Sequence, residues 1–243
     1  MKIIEGKNPG PRRMLVYGQP GVGKSTFASH APKCLFLPIE DGLNDIDCVR
    51  TEQIKSWDAF VEVMQELLRD QQGFKWLAVD SVDWLEKLIF DDICKAHGVK
   101  SIANIPYGNG FKMLYVYWKK ITDSFQILHK RGVNILLLGH AMTKRRDDPE
   151  TESFDCFVPR MHENSSNHLI EYCDEVLFAR FENDLQKVQG KFGQTQVKAV
   201  GECRRILRTV AKPTATAKNR LGLPAELPLD WSEFAKFLPK QGA

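Results

Sequence analysis

The chain has 243 residues, 43% hydrophobic and 27% charged, a balance that permits a sizeable core and excludes a disordered tail protein. Its 34 Lys and Arg nearly offset 31 Asp and Glu, so the net charge of +3 is too small to imply nucleic-acid binding by itself, and only local clusters could matter. No stretch reaches the roughly 18 to 20 apolar residues of a membrane span, and the opening MKIIEGKNPGPRR lacks the apolar core of a secretory signal, so no membrane partner is expected and the protein should stay in the cytoplasm.

One α/β domain over 1–243 is expected, with an N-terminal arm over 1–11 and a C-terminal segment over 211–243 that carries a short helix. In chain order, 13–17 (RMLVY) reads as a first buried strand, a helix begins near Lys24, and 34–39 (CLFLPI) reads as a second strand whose pairing ends near Pro38. Over 56–69 the residues Trp57, Phe60, Val61, Met64, Leu67 and Leu68 recur at helical spacing, with Ser56 as N-cap. A third strand (75–80), a helix (82–97) and a Pro- and Gly-bearing loop (98–110) follow, then a long amphipathic helix on Phe111, Leu114, Trp118, Ile121, Phe125 and Leu128 that stops at Gly132.

The fourth strand, 133–139 (VNILLLG), opens onto a polar stretch, 141–167, with no clear period, which reads as a long functional loop. Strands at 175–181, 195–200 and 203–210 read as an antiparallel extension of a mainly parallel sheet, and a turn-rich segment (212–229) leads to a helix near 231–238. Six cysteines (Cys34, Cys48, Cys94, Cys156, Cys173, Cys203) form no CxxC pair and read as reduced thiols rather than a zinc site.

Between the first strand and its helix stands Gly18-Gln19-Pro20-Gly21-Val22-Gly23-Lys24-Ser25, followed by Thr26, which fits G-x-x-x-x-G-K-[ST] in the strand-to-helix context that the chemistry needs. The glycines let backbone N–H groups curl around phosphates, Lys24 neutralises the β and γ charges, and Ser25 offers a hydroxyl to Mg²⁺. Trp76-Leu-Ala-Val-Asp80 supplies the strand-end carboxylate for the Mg²⁺ shell. Ser81 follows Asp80 where a hydrolytic glutamate could stand, so the carboxylate that orients water must come from elsewhere. No D-x-x-G switch follows the strand at Asp80, which leads into Ser-Val-Asp, and no N-K-x-D guanine reader follows a late strand, which disfavours GTP.

Glu40, at the end of the second strand, resembles the water-orienting carboxylate of RecA-like ATPases, although Asp41 beside it could take that role. Asp80-Ser81 resembles the family's Mg²⁺-binding strand end. His140 stands where the family keeps a polar γ-phosphate sensor, or is a simple hydrogen-bonded strand-end histidine. Ala217-Lys218-Asn219-Arg220 resembles the K-N-[KR] segment of RecA and of DnaB-type ring helicases, whose basic residues reach the ATP of a neighbouring subunit; in a linker they could equally be surface charges. With neither a polymerisation helix nor a further domain expected, the chain is similar to the phage-encoded RecA-like single-strand annealing proteins. That resemblance implies ATP-stimulated binding and pairing of single-stranded DNA in phage recombination, self-assembly into a ring or filament with ATP at the subunit interface, a single-strand DNA-binding protein as a further partner, and the host cytoplasm as location.

In RecA-like folds the loops after the Asp80 and His140 strands face the filament or ring axis, which makes them the candidate DNA surface. Here these are 99–110, with Lys100 for phosphate and Tyr107 for base stacking, and 142–167, with Lys144, Arg145, Arg146 and Arg160 for phosphate and Phe154 or Phe157 for stacking, diluted by Asp147, Asp148, Glu150 and Glu152. Arg204, Arg205 and Arg208 cluster on one late strand, with either a neighbour's nucleotide or DNA as target. Two other readings stay open: a ring-forming translocase or helicase, and an ATP-dependent regulatory or loader protein that binds no DNA.

Overall fold

The computed structural model describes residues 5–6, 10–147, 152–182 and 204–239, together with the backbone of 185–189 and 195–199. The first half holds β1 (Arg13–Gly18), α1 (Lys24–Ser29), β2 (Cys34–Pro38), β3 (Val49–Arg50), α2 (Trp57–Arg69), β4 (Trp76–Asp80), α3 (Val82–His97) and α4 (Asn109–Lys130). The second holds β5 (Asn134–Arg146), β6 (Phe154–Pro159), α5 (Glu163–Tyr172), β7 (Glu175–Glu182), β8 (Leu185–Gln189), β9 (Thr195–Ala199), β10 (Arg204–Arg208), β11 (Lys218–Asn219), β12 (Glu226–Pro228) and α6 (Trp231–Ala235).

The main sheet runs β12-β10-β7-β1-β5-β4-β2-β3, parallel from β7 through β3 and antiparallel at β10 and β12, which is the α/β architecture expected. Its central strands are apolar without interruption because both faces are covered. Leu15, Tyr17, Leu37, Val79 and Leu137 pack beneath α2, α3, α4 and α5. Met14, Val16, Phe36, Ala78 and Leu138 face α1 and α6, where Phe27, Trp231 and Phe234 close the layer. Side chains two apart therefore serve the same layer, and each such layer excludes water along its whole length. Ser56 caps α2 as expected, its Oγ accepting from Ala59 N at 3.2 Å.

Three expectations need correction. The stretch 141–167 is not a loop: β5 runs on to Arg146 and pairs antiparallel with β6, from Ala141↔Pro159 to Arg146↔Phe154, and α5 follows. This hairpin stands in solvent with little more than Cys156 and Val158 buried, so its period of two carries almost no apolar signal. Secondly, β7 is parallel to β1, from Met14↔Glu175 to Gly18↔Ala179, because α5 supplies the crossover that a parallel return requires. Thirdly, β9 does not join the main sheet; it pairs with β8 in a separate two-stranded ladder. Of the three strands expected to extend the sheet in the antiparallel sense, β10 alone does so. Most of the expected N-terminal arm (1–4 and 7–9) lies outside the described residues, as do Asp148, Glu150 and Cys203. The five described cysteines are free.

Sheet order positions the site. Because β5 lies between β1 and β4, the ends of β1, β5, β4 and β2 bring Gly18, His140, Asp80 and the residues after Pro38 to one edge, with Gly18 opposite His140 and Pro38 opposite Asp80.

Candidate functional site

At that edge the segment from Gly18 to Ser25 turns from β1 into α1. A Cβ on Gly18 would collide with the Ala179 carbonyl of β7, and Gly23 adopts a φ of 102°, so both positions demand glycine. Gln19, Pro20, Gly21 and Thr26 are exposed on the loop, whereas Val22 points inward and packs with Met14 and Val16. The Lys24 ammonium is buried and donates to Gly18 O (3.3 Å) and Gln19 O (3.1 Å). Burial lowers its pKa, opposed by the carboxylates of Asp80, Glu40 and Asp83.

Ser25 Oγ donates to Asp80 Oδ2 at 2.6 Å, and burial pushes the Asp80 carboxyl up to about 6 against that hydrogen bond. The Asp80–Ser81 peptide is cis, and the Asp80 carbonyl accepts from Ile39 N (2.7 Å) and Glu40 N (3.2 Å), which ties the end of β2 to the end of β4. Glu40 accepts from Ser81 Oγ at 2.9 Å, lies 3.7 Å from His140 Nδ1 and keeps 24% of its side chain exposed. Asp41 turns away, accepting from Asn44 Nδ2 at 3.1 Å, so Glu40 is the carboxylate that faces inward. Gly21, Lys24, Ser25, Glu40, Asp80 and His140 share a cleft of about 400 Å³, and Arg205 of β10 enters it from the other side.

Two residues carry more here than their sequence context suggested. Asp83, one turn after Asp80 and only 2% exposed in its side chain, accepts from His140 N at 3.1 Å and lies 3.1 Å from His140 Nδ1. It also receives Arg160 Nε (3.1 Å) and Nη2 (2.5 Å). Burial pushes the Asp83 carboxyl up, but the hydrogen bonds from His140 and Arg160 outweigh this and hold it well below the usual carboxylate range. The second residue is Arg205. Leu207, two positions along β10, packs in the α1 layer, and that alternation was the signal that put Arg205 on the α1 face.

The residues expected to touch DNA fall into two groups at this same end of the sheet. Lys144, Arg145 and Arg146 line a second cavity, of about 500 Å³, between the β5–β6 hairpin and α5. Lys144 pairs with Glu163 at 2.8 Å and Arg146 Nη2 donates to Thr216 Oγ1 at 3.2 Å. Arg160 follows β6 and is held by Asp83, so it joins the hairpin to the cleft instead of standing free. Lys100 and Tyr107 lie on the turns before α4, with Tyr107 93% exposed. The Phe111 ring stacks on His162 at 4.6 Å, and Glu86 accepts His162 N at 2.8 Å, so the start of α4 adjoins the start of α5. Phe157 is spoken for: it stacks on Phe178 at 5.0 Å.

Lys218 and Arg220 lie elsewhere. β11 pairs with Val176 and Glu175, at the Met14 end of the sheet and far from the Gly18 end of the same chain. Lys218 Nζ donates to the carbonyls of Ile170 (2.9 Å), Glu171 (3.0 Å) and Cys173 (2.6 Å), closing the end of α5, while burial and then Arg220 lower its pKa. Arg220 Nη1 lies 3.0 Å from Asp174 Oδ1 and keeps 56% of its side chain exposed.

Chemically, the cleft joins a buried ammonium, a hydroxyl–carboxylate pair and a second, half-open carboxylate, which suits a polyphosphate and an attacking water. Among the described residues no cluster of three or more His, Cys, Asp or Glu could hold a metal by itself. The two hard oxygen donors of Ser25 and Asp80 fit Mg²⁺, which keeps waters and phosphate oxygens in its shell, and a cation there would favour the ionised Asp80 that burial disfavours. Among the described residues no helix is long and apolar enough to cross a membrane.

Residues 10–221 match a family described as an AAA domain. Over 150 residues, 60% of the chain, the sequence is 27% identical to the SPbeta prophage-derived uncharacterized protein YorG of Bacillus subtilis (strain 168). That match covers 44% of the relative, so the chain spans less than half the length of the curated protein it resembles.

Proposed function

The chain belongs to the AAA domain family, and we propose that it is a Mg-ATP-dependent ATPase that binds and anneals single-stranded DNA in phage recombination. The observation that carries the ATPase reading is the convergence of Lys24, Ser25, Asp80 and Glu40 on one cleft. Lys24 exchanges its two loop carbonyls for phosphate oxygens, and Ser25 and Asp80 would hold Mg²⁺, which would supply positive charge to the phosphate. Glu40, fixed by Ser81 and half open to solvent, orients water toward the γ-phosphate.

Support for a DNA partner comes from the chain of contacts from Glu40 through His140 and Asp83 to Arg160, which ends at the hairpin carrying Lys144, Arg145 and Arg146. A change at the cleft can thus bias a basic surface, and Tyr107 offers an exposed ring, the two features that single strands bind. The prophage origin in the relative's name supports the phage setting. In an assembly Arg220, the more exposed member of the Lys218–Arg220 pair, reaches a neighbour's ATP, while Lys218 fixes the segment that presents it. Such an arginine is worth about 10³ or more in rate.

Annealing of two complementary oligonucleotides, with and without Mg-ATP, tests this reading. Accelerated pairing without unwinding of a preformed duplex is expected. Duplex unwinding would point to a helicase, and ATP hydrolysis without DNA binding to a regulatory protein.

A further inference from the structure

Opposite Asp80 and Glu40 a cation enters the cleft from the same chain. β10 reaches β1 through β7, with Leu207↔Ala179 and Ala179↔Gly18, so Arg205, two residues beyond Leu207 on the same face, projects past the end of β1 and over the Gly18–Ser25 segment. Its Nη1 sits where a Cβ on Gly23 would be 3.2 Å away, with Leu229 at 3.7 Å from the same point. The backbone there is pinned, since the Arg205 carbonyl accepts from Leu229 N at 2.9 Å, and the guanidinium stands 6.0 Å from the Phe181 ring. Among the described residues no carboxylate pairs with it, whereas Arg208 on the opposite face is paired with Glu226. Arg205 and the buried Lys24 ammonium line the same cleft, so an anion placed in it meets a cation on either side.

We propose that Arg205 is a phosphate-binding residue acting in cis, which grips the nucleotide from the β10 side of the cleft. This rests on the nucleotide site proposed above and deepens it. A planar guanidinium takes phosphate oxygens in bidentate fashion, and a second cation doubles the charge facing the polyphosphate. The sheet order puts β10 and β4 on opposite sides of β1, so Arg205 approaches away from the carboxylates that handle Mg²⁺ and water. It therefore holds ground state and transition state alike, and its contribution belongs in affinity, not turnover. It is also distinct from the trans role of Arg220, because it needs no neighbour.

The test is titration of Mg-ATP and Mg-ADP into the full chain by calorimetry, with saturated turnover measured in parallel. Arg205→Ala should weaken both nucleotides about 10- to 100-fold, the range for a charged hydrogen bond, while kcat stays within about threefold. Arg205→Lys should recover part of the loss, and Arg69→Ala, at an exposed position ending α2, should bind like the wild type. Should Arg205→Ala fail to fold, Arg205→Gln and Arg205→Lys carry the same comparison. A wild-type Kd in folded Arg205 variants, or a fall in kcat at unchanged Kd, overturns the assignment. Lys24→Ala separates the two levels: if wild type binds Mg-ATP, Lys24→Ala does not and Arg205→Ala does with wild-type affinity, only the Arg205 inference falls. If the wild type itself binds no Mg-nucleotide, the underlying nucleotide site falls with it.

Discussion

Replacing Asp80 by asparagine should make the fold more stable while removing its Mg²⁺-dependent function. Burial lifts the Asp80 carboxyl from an ordinary 3.8 to about 6, and at about 1.4 kcal/mol per tenfold change this places roughly 3 kcal/mol against the ionised fold. The sign follows from the raised value. The contribution is fully favourable below the unfolded value, is lost as pH rises through about 6, and stays lost above it. Asparagine does not titrate and can still accept from Ser25 Oγ, so the stability difference between variant and wild type should grow from pH 4 to 6 and then level off. Urea melts of both proteins without Mg²⁺, at pH steps from 4 to 8, read that difference directly, and other titrating groups cancel in it. Adding Mg-ATP at about 100 times its Kd should stabilise wild type by about 2.7 kcal/mol and so nearly close the gap, because the variant gains little. An asparagine variant no more stable than wild type at pH 7.5, or a difference that does not change with pH, would refute the reasoning.

Glu40→Gln should leave nucleotide affinity unchanged and lower hydrolysis about 10²- to 10³-fold, seen in single-turnover phosphate release; a wild-type rate would remove Glu40 from the mechanism. Lys218→Ala strips a donor from three carbonyls at the end of α5 and should cost about 1–3 kcal/mol in a urea melt. An unchanged midpoint would mean that Lys218 is free to act elsewhere.

The parallel half of the fold was legible because its strands are apolar on both faces and its helices carry a clean stripe, as in α2 with Phe60, Met64 and Leu67 buried. Where burial is partial or polar the pattern fails. α5 buries Ser165, Ser166 and Leu169, so its inward face is mostly polar and carries no apolar period. Missing α5 also hid the crossover, and with it the parallel sense of β7. The same division holds at the site. Gly18 to Ser25 and Asp80 were legible because local chain geometry imposes their spacing. Glu40 was named from its strand end but told apart from Asp41 only by the fold, and Asp83 and Arg205 needed contacts that only folding creates: Asp83 with Arg160 across 77 positions, Arg205 with Gly23 through the β10–β7–β1 register. Lys218 shows the reverse case, a basic residue in a suggestive motif whose ammonium is already held by its own chain.

The most direct test of the whole account is the steady-state rate of ATP hydrolysis with and without single-stranded DNA, at about 50 and 200 mM salt, for wild type and for a Lys144→Ala, Arg145→Ala, Arg146→Ala triple variant. The account expects DNA to accelerate wild-type hydrolysis, the acceleration to weaken at the higher salt as counterions compete for phosphate, and the triple variant to keep its DNA-free rate but lose the acceleration. Equal rates with and without DNA at both salt concentrations would contradict it.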